Sequence, residues 1–243
     1  MPKKQTVKKD SPLGRVLAQR TGNWMLSRID EHLEENNEYR HDPGWFHPSA
    51  VSSPCDAFLA FTYMGTLGKG TVKARSRRIF DNGHSTEGRW QRYLLQAGLA
   101  QCKTDEDRAI EIPHVKIRGH LDNIVVNPLT KEKFVWEFKT INTDAFKELK
   151  QAQSDHIMQT HCYMFATGIF QCIIMYEDKN DQSVKQYQIK FNPEIWRSIE
   201  TRLLNIIKLV EEKTLPWRTP IANDTKCQFY WTCSSFEFPE DKK

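Results

Sequence analysis

Apolar residues first recur at helical spacing, then alternate with polar ones, then return to helical spacing. Val16, Leu17, Trp24, Leu26, Ile29 and Leu33 space out a helix over roughly residues 13–37, which His41-Asp42-Pro43-Gly44 breaks. Ser49 to Gly65 reads as a second helix, containing Cys55 and the aromatic positions Phe58, Phe61 and Tyr63. Gly68-Lys69-Gly70 interrupts the pattern, and Asp81 or Asn82 is placed to cap a third helix carrying Glu87, Trp90, Leu94 and Ala97.

The period then changes to two. Val115, Ile117, Gly119 and Leu121 alternate with Lys116, Arg118, His120 and Asp122. Asn127-Pro128-Leu129-Thr130 makes a turn, and Phe134 to Thr140 is the next strand. Ser154 to Thr167 is helical and closes at Gly168. Strands over Gln171 to Glu177 and Val184 to Phe191 follow, with an Asp-Lys-Asn-Asp turn between them. A long helix from Pro193 to Lys213 carries an inner stripe of Trp196, Ile199, Leu203, Ile206, Ile207 and Val210. Helices, strands, helix, strands and helix in that order predict an α/β core with a mixed central sheet. No internal repeat stands out.

Composition narrows this little. At 243 residues the chain can bury one sizeable core. With 27% charged residues and no apolar run of about 18 or more, a membrane span is excluded. The start, Met1-Pro2-Lys3-Lys4-Gln5, lacks the apolar segment of a secretory signal, so the expected location is cytoplasmic. The net charge of +4 permits nucleic acid as a partner without arguing for it. Lys3, Lys4, Lys8 and Lys9 read as part of a solvated tail over residues 1–12 in preference to a DNA-contacting arm. Six cysteines in such a chain point to thiols, metal or both rather than to disulfides.

The chemistry concentrates in three short pieces. In Phe134-Val135-Trp136-Glu137-Phe138-Lys139 the alternation puts Phe134, Trp136 and Phe138 on one face and Glu137 with Lys139 on the other. Asp122 ends the preceding strand in Gly119-His120-Leu121-Asp122. Asp122 and Glu137 together suit a hard divalent cation such as magnesium, which keeps several waters, one of which can be the nucleophile. Lys139 would offset charge on a phosphate or lower the pKa of the attacking water. With 31 acidic residues, an Asp-x14-Glu-x-Lys spacing taken alone is no better than exposed strand-end charge. The helix upstream adds His84 and Glu87, three apart and on one face, with Glu87 the favoured third ligand. Gln159 and Tyr163, at i and i+4, can orient water or bind a phosphate, and His156 lies one turn before Gln159.

Taken together, Gly83 to Glu87, Gly119-His120-Leu121-Asp122, Glu137-Phe138-Lys139 and the Gln159–Tyr163 pair resemble the PD-(D/E)xK nuclease superfamily. The similarity is to its RecB-like exonuclease branch, which includes the CRISPR-associated and phage recombination exonucleases, and covers roughly residues 49–233. Many relatives place a histidine ligand where Glu87 stands. A carboxylate there would still bind metal, with the preference shifted from manganese toward magnesium. The resemblance implies a restriction-endonuclease-like core over 71–215, preceded by an N-terminal helical segment over 13–70. It implies metal coordination by Glu87, Asp122 and Glu137, with Phe138 adding its backbone carbonyl.

The cysteines also match this branch. Ser49-Ala50-Val51-Ser52-Ser53-Pro54-Cys55 resembles the segment that supplies the first cluster ligand in its iron–sulfur members, whose other three ligands follow a C-x2-C-x5-C spacing. Here Cys227 and Cys233 have the x5 spacing, and Asp224 stands where the remaining cysteine is expected. Three readings stay open: a 4Fe-4S cluster with Asp224 or an outside ligand as the fourth, a zinc site, or ordinary cysteines without metal. In either metal reading the site is structural, stapling the N-terminal segment to the 216–243 segment, which ends in an acidic tail. Cys102, Cys162 and Cys172 lack ligand-like spacing, and Cys162 and Cys172 are expected in the core.

The function expected on these grounds is a Mg2+- or Mn2+-dependent DNA exonuclease acting on single strands or ends in recombination, repair or replication. Recombination or replication proteins would be its partners, in a host cytoplasm if phage-encoded. Lys73, Arg75, Arg77, Arg78, Arg89 and Arg92 are expected to track the phosphate backbone. The alternatives are a non-catalytic DNA-binding scaffold and a structure-specific endonuclease.

Overall fold

The computed structural model describes residues 23–35, 42–66 and 72–216. The chain divides into two compact units, Met1–Arg40 with Gly70–Asn82, and His41–Lys69 with Gly83–Lys243. In the first, helix α1 (Trp24–Glu35) is the described part of the helix expected over 13–37. Glu34 accepts a hydrogen bond from the Ala74 backbone at 3.0 Å, and Asp30 pairs with Arg78.

The second unit is built on a four-stranded sheet in the order β3 (Asn123–Val126), β4 (Lys133–Ile141), β5 (Gln171–Asp178) and β6 (Val184–Lys190). β4 and β5 run parallel, and the two outer pairings are antiparallel, so the sheet is mixed as the sequence predicted. A separate hairpin pairs β1 (Ala109–Ile112) with β2 (Ile117–His120). The parallel connection from β4 to β5 passes through α4 (Thr143–Glu148) and α5 (Ser154–Thr167), as a parallel crossover must.

Each sheet face has its own core. On one, Val135, Cys172, Ile174 and Tyr176 pack with Cys162, Tyr163 and Met164 of α5. Helix α6 (Pro193–Glu211) closes that layer with Trp196, Ile199, Leu203 and Ile206. On the other face Phe134, Trp136, Phe138 and Met175 pack with Trp90 and Leu94 of helix α3 (Ala74–Gln96). Asn192 caps α6 by accepting the Glu194 N–H at 2.8 Å. Arg202 of α6 holds the segment before α2 (Asp56–Tyr63) by donating to Asp56 and to the carbonyls of Val51 and Ser53.

Several expectations need correction. The Ser49 to Gly65 stretch is a short 3-10 turn at Pro48–Ala50 and then α2, because Pro54 disfavours helix at the residue before it. Helix α3 starts at Ala74, so Asp81 and Asn82 lie inside it and do not cap it. Asp81 instead pairs with Arg77 one turn earlier at 3.2 Å. Val115 belongs to a 3-10 turn, and Lys116 is left-handed at φ 55°, so β2 begins only at Ile117. Strands β1 and β3 and helix α4 were not expected at all.

Candidate active site

Glu137 is the most demanding side chain in the sheet. It is on the same face of β4 as Val135, in the layer covered by α5, and its exposure is 0%. Neither carboxylate oxygen makes a hydrogen bond among the described residues. The Lys139 ammonium approaches Oε1 to 2.6 Å as an ion pair, out of alignment for a hydrogen bond. A buried carboxylate with so little solvation costs on the order of several kcal/mol unless further positive charge is supplied.

Asp122 adds to that deficit. It sits in the bend between β2 and β3, and its Oδ2 accepts the Phe138 N–H at 2.7 Å, which fixes it beside Glu137. Burial pushes the Asp122 carboxyl well above the usual carboxylate range, with the charges of Glu137 and Glu87 adding to the effect. Burial also raises Glu137, against the pull of Lys139. Burial alone would lower Lys139, but the charges of Glu137, Asp122 and Glu87 outweigh it and raise its pKa. Two buried acids thus lean on one ammonium.

Glu87 lies within reach of their field but is turned aside. Arg108 stands 3.5 Å from its Oε1, and Gln91, one turn on, approaches it at 3.4 Å. Gln91 also donates to the Asp122 backbone carbonyl at 2.6 Å and accepts from the buried Asn123 side chain at 2.8 Å. Consequently no three His, Cys, Asp or Glu side chains converge on a metal-sized point among the described residues. Magnesium is commonly held by one or two carboxylates with waters and substrate phosphate completing its shell, and Asp122 with the unsatisfied Glu137 meets that requirement. His84 is exposed and lines, with Glu87, Gln91, Lys103 and Arg108, a cleft of about 360 Å3.

Helix α5 completes the wall. Gln159 donates to the Tyr163 hydroxyl at 2.9 Å, and both are buried. Burial and the Glu137 and Asp122 charges push the Tyr163 phenol well up, placing it in the carboxylates' field. The structure therefore brings Asp122, Glu137, Lys139, Gln159 and Tyr163 together, with Glu87 at the margin. The Phe138 side chain points into the opposite core, and its backbone N–H serves Asp122.

No family model and no curated protein matches the sequence. Among solved structures, SSO0001 superimposes with a TM-score of 0.50 at 17% identity, over 74% of this chain and 83% of that one. The fold is shared. Also similar are the alkaline exonuclease LHK-Exo from Laribacter hongkongensis, at TM-score 0.49 and 17% identity over 75% and 93% of the two chains. The same exonuclease in complex with dAMP gives 0.48 and 15% over 84% and 97%.

Three contributors escaped the sequence reading of the site. Gln91 and Asn123 hold the Asp122 bend, and Tyr176 stands beside Lys139, joined there by His156, which the sequence had placed one turn before Gln159. Gln91 carries a signal in retrospect, four residues after Glu87 and so on its face. Arg89 corrects an expectation: it is bound through both Glu177 oxygens at 2.5 and 2.6 Å and is not free to track DNA. Trp90 joins the same carboxylate at 2.6 Å.

Of the cysteines, Cys102, Cys162 and Cys172 are buried and free, and burial pushes the Cys162 thiol up to about 12. Cys55 is free and partly exposed at the N-terminus of α2. Asp224, Cys227 and Cys233 lie outside the described residues. No described helix is long and apolar enough to cross a membrane.

Proposed function

We propose that the chain is a divalent-metal-dependent nuclease that hydrolyses phosphodiester bonds in DNA, acting as an exonuclease on single strands or ends. The observation that carries this is the fully buried Glu137 carboxylate, beside Asp122, with both oxygens lacking a hydrogen bond. The motif resemblance to RecB-like nucleases supports it.

Asp122 and Glu137 would hold Mg2+ or Mn2+, with Glu87 and the Phe138 carbonyl as further donors. A cation held there polarises a phosphate oxygen and lowers the pKa of water. The chain's own groups supply the rest. Lys139, kept protonated by three nearby carboxylates, offsets the negative charge that grows on the phosphate as water adds and the P–O bond breaks. Phe138 keeps Asp122 in place through its N–H. The Tyr163 phenol stays protonated and, with Gln159 fixed against it, offers a hydrogen-bonding edge to phosphate or water.

The iron–sulfur or zinc site over Cys55, Asp224, Cys227 and Cys233 rests on the resemblance. The Cys55 thiol is compatible with it, being free and uncommitted to capping its helix.

The test is cleavage of end-labelled single-stranded DNA with Mg2+ or Mn2+. Wild-type protein cleaves, and Lys139→Ala loses about 100-fold or more in rate per folded molecule, measured at a temperature where the variant is still folded. A closed circular single strand separates the modes, since only an endonuclease cuts it. Absence of cleavage on every DNA form with either metal overturns the reading.

A further inference from the structure

The wall beside Lys139 contains a second ordered polar unit that the proposed chemistry does not use. In the parallel pairing of β4 with β5, Lys139 is the partner of Tyr176, so the two side chains stand next to each other on the same face. Tyr176 is completely buried, and its hydroxyl is 2.8 Å from Nδ1 of His156. The same hydroxyl oxygen accepts the Gln153 backbone N–H at 3.0 Å. With that acceptor position filled, the phenol hydrogen needs an acceptor of its own, and Nδ1 is the one at hand. The imidazole proton is thereby assigned to Nε2.

His156 is at the start of α5, on the stripe that continues through Gln159 and Tyr163. Its side chain keeps 16% exposure; Nδ1 is anchored by Tyr176, while Nε2 stands 3.8 Å from the Asp155 carboxylate, beyond hydrogen-bond distance, and so keeps its donor position open. We propose that His156 is a neutral hydrogen-bond donor that binds a non-bridging oxygen of a substrate phosphate through Nε2–H, with Tyr176 fixing the tautomer. This rests on the phosphodiesterase reading above and names a second phosphate ligand beside Lys139. Electrostatics favour the neutral form. Burial, then the Lys139 charge, lower the His156 pKa to about 4, against a smaller opposing effect of Asp155. A neutral donor adds directionality where Lys139 supplies charge, without a second cation to repel it.

The experiment has two independent parts. Long-range proton–nitrogen spectra of the full chain should show His156 as the Nε2–H tautomer, unprotonated from about pH 5.5 to 8, and Tyr176→Phe should admit the other tautomer. Binding of a phosphorothioate single-stranded oligonucleotide in EDTA should weaken about tenfold in His156→Ala, the worth of one hydrogen bond to a charged oxygen. It should recover to within about threefold in His156→Gln, which keeps an N–H donor. An Nδ1–H tautomer, or oligonucleotide affinity unchanged in His156→Ala or absent in the wild type, overturns the inference. Cleavage-competent protein with unaltered His156→Ala binding sinks this inference alone. Binding that depends on His156 without cleavage under any metal sinks the nuclease reading and leaves the phosphate site standing.

Discussion

The Gln91 side chain donates to the backbone carbonyl of Asp122 at 2.6 Å, linking helix α3 to the bend that carries the buried acid. Through its other end it accepts from Asn123, whose amide is tied to both backbone groups of Cys102. The position of Asp122 is therefore set from outside its own strand. Gln91→Ala is expected to lower Mn2+ affinity about tenfold, as loss of a group that orients a ligand does. Titration of the variant with Mn2+ by electron paramagnetic resonance checks it.

The Asp122 pKa gives a pH dependence with a definite sign. Its folded value is raised by burial and by Glu137 and Glu87, so the native state holds the proton more tightly than the unfolded chain. The stabilisation is full below the ordinary carboxylate pKa and is lost as pH rises through the raised folded value. In EDTA, Asp122→Asn should melt increasingly above wild type as pH goes from about 5 to 8. Saturating Mg2+ should narrow the gap, because the metal binds the ionised acid. Melting curves of both proteins across that range are the check, and a constant gap counts against the assignment.

Glu177 predicts a stability effect distinct from catalysis. Glu177→Ala leaves the half-buried Arg89 and the Trp90 indole N–H without their acceptor, on the opposite sheet face from Glu137. The expected loss is about 3 kcal/mol, a fall of about 6 to 12 °C in Tm. Cleavage per folded molecule at low temperature should stay near wild type.

The cysteine staple is tested by Cys227→Ser and Cys233→Ser. Each should lower the melting temperature and release iron or zinc from protein purified without oxygen. Cys162→Ala, which removes a core thiol, should retain the metal. Unchanged metal content in the two serine variants would defeat the staple.

The alternation over Phe134 to Lys139 made β4 legible because its two faces differ chemically, apolar on one side and charged on the other. Helices α5 and α6 were equally plain, with Gly168 in the left-handed conformation and Asn192 as the cap marking their ends. Strand β3 hid because it is buried on nearly every residue and has no period to read. The site's acids and lysine were visible as residue types at a spacing. What holds them was not, since Gln91, Asn123 and Tyr176 act through contacts 20 or more residues away in sequence or across strands. The turning of Glu87 toward Arg108 depends likewise on a pairing no local pattern announces.

The two-faced character of β4 bears on how errors in this protein would show. A slip of one residue against β5 would carry Trp136 into the charged wall and Glu137 into the aromatic layer. A misregistered chain would lose its packing and its chemistry in one event. Single-residue insertions or deletions between Lys133 and Ile141 should therefore be absent from any collection of folded, active variants. The strand checks its own assembly.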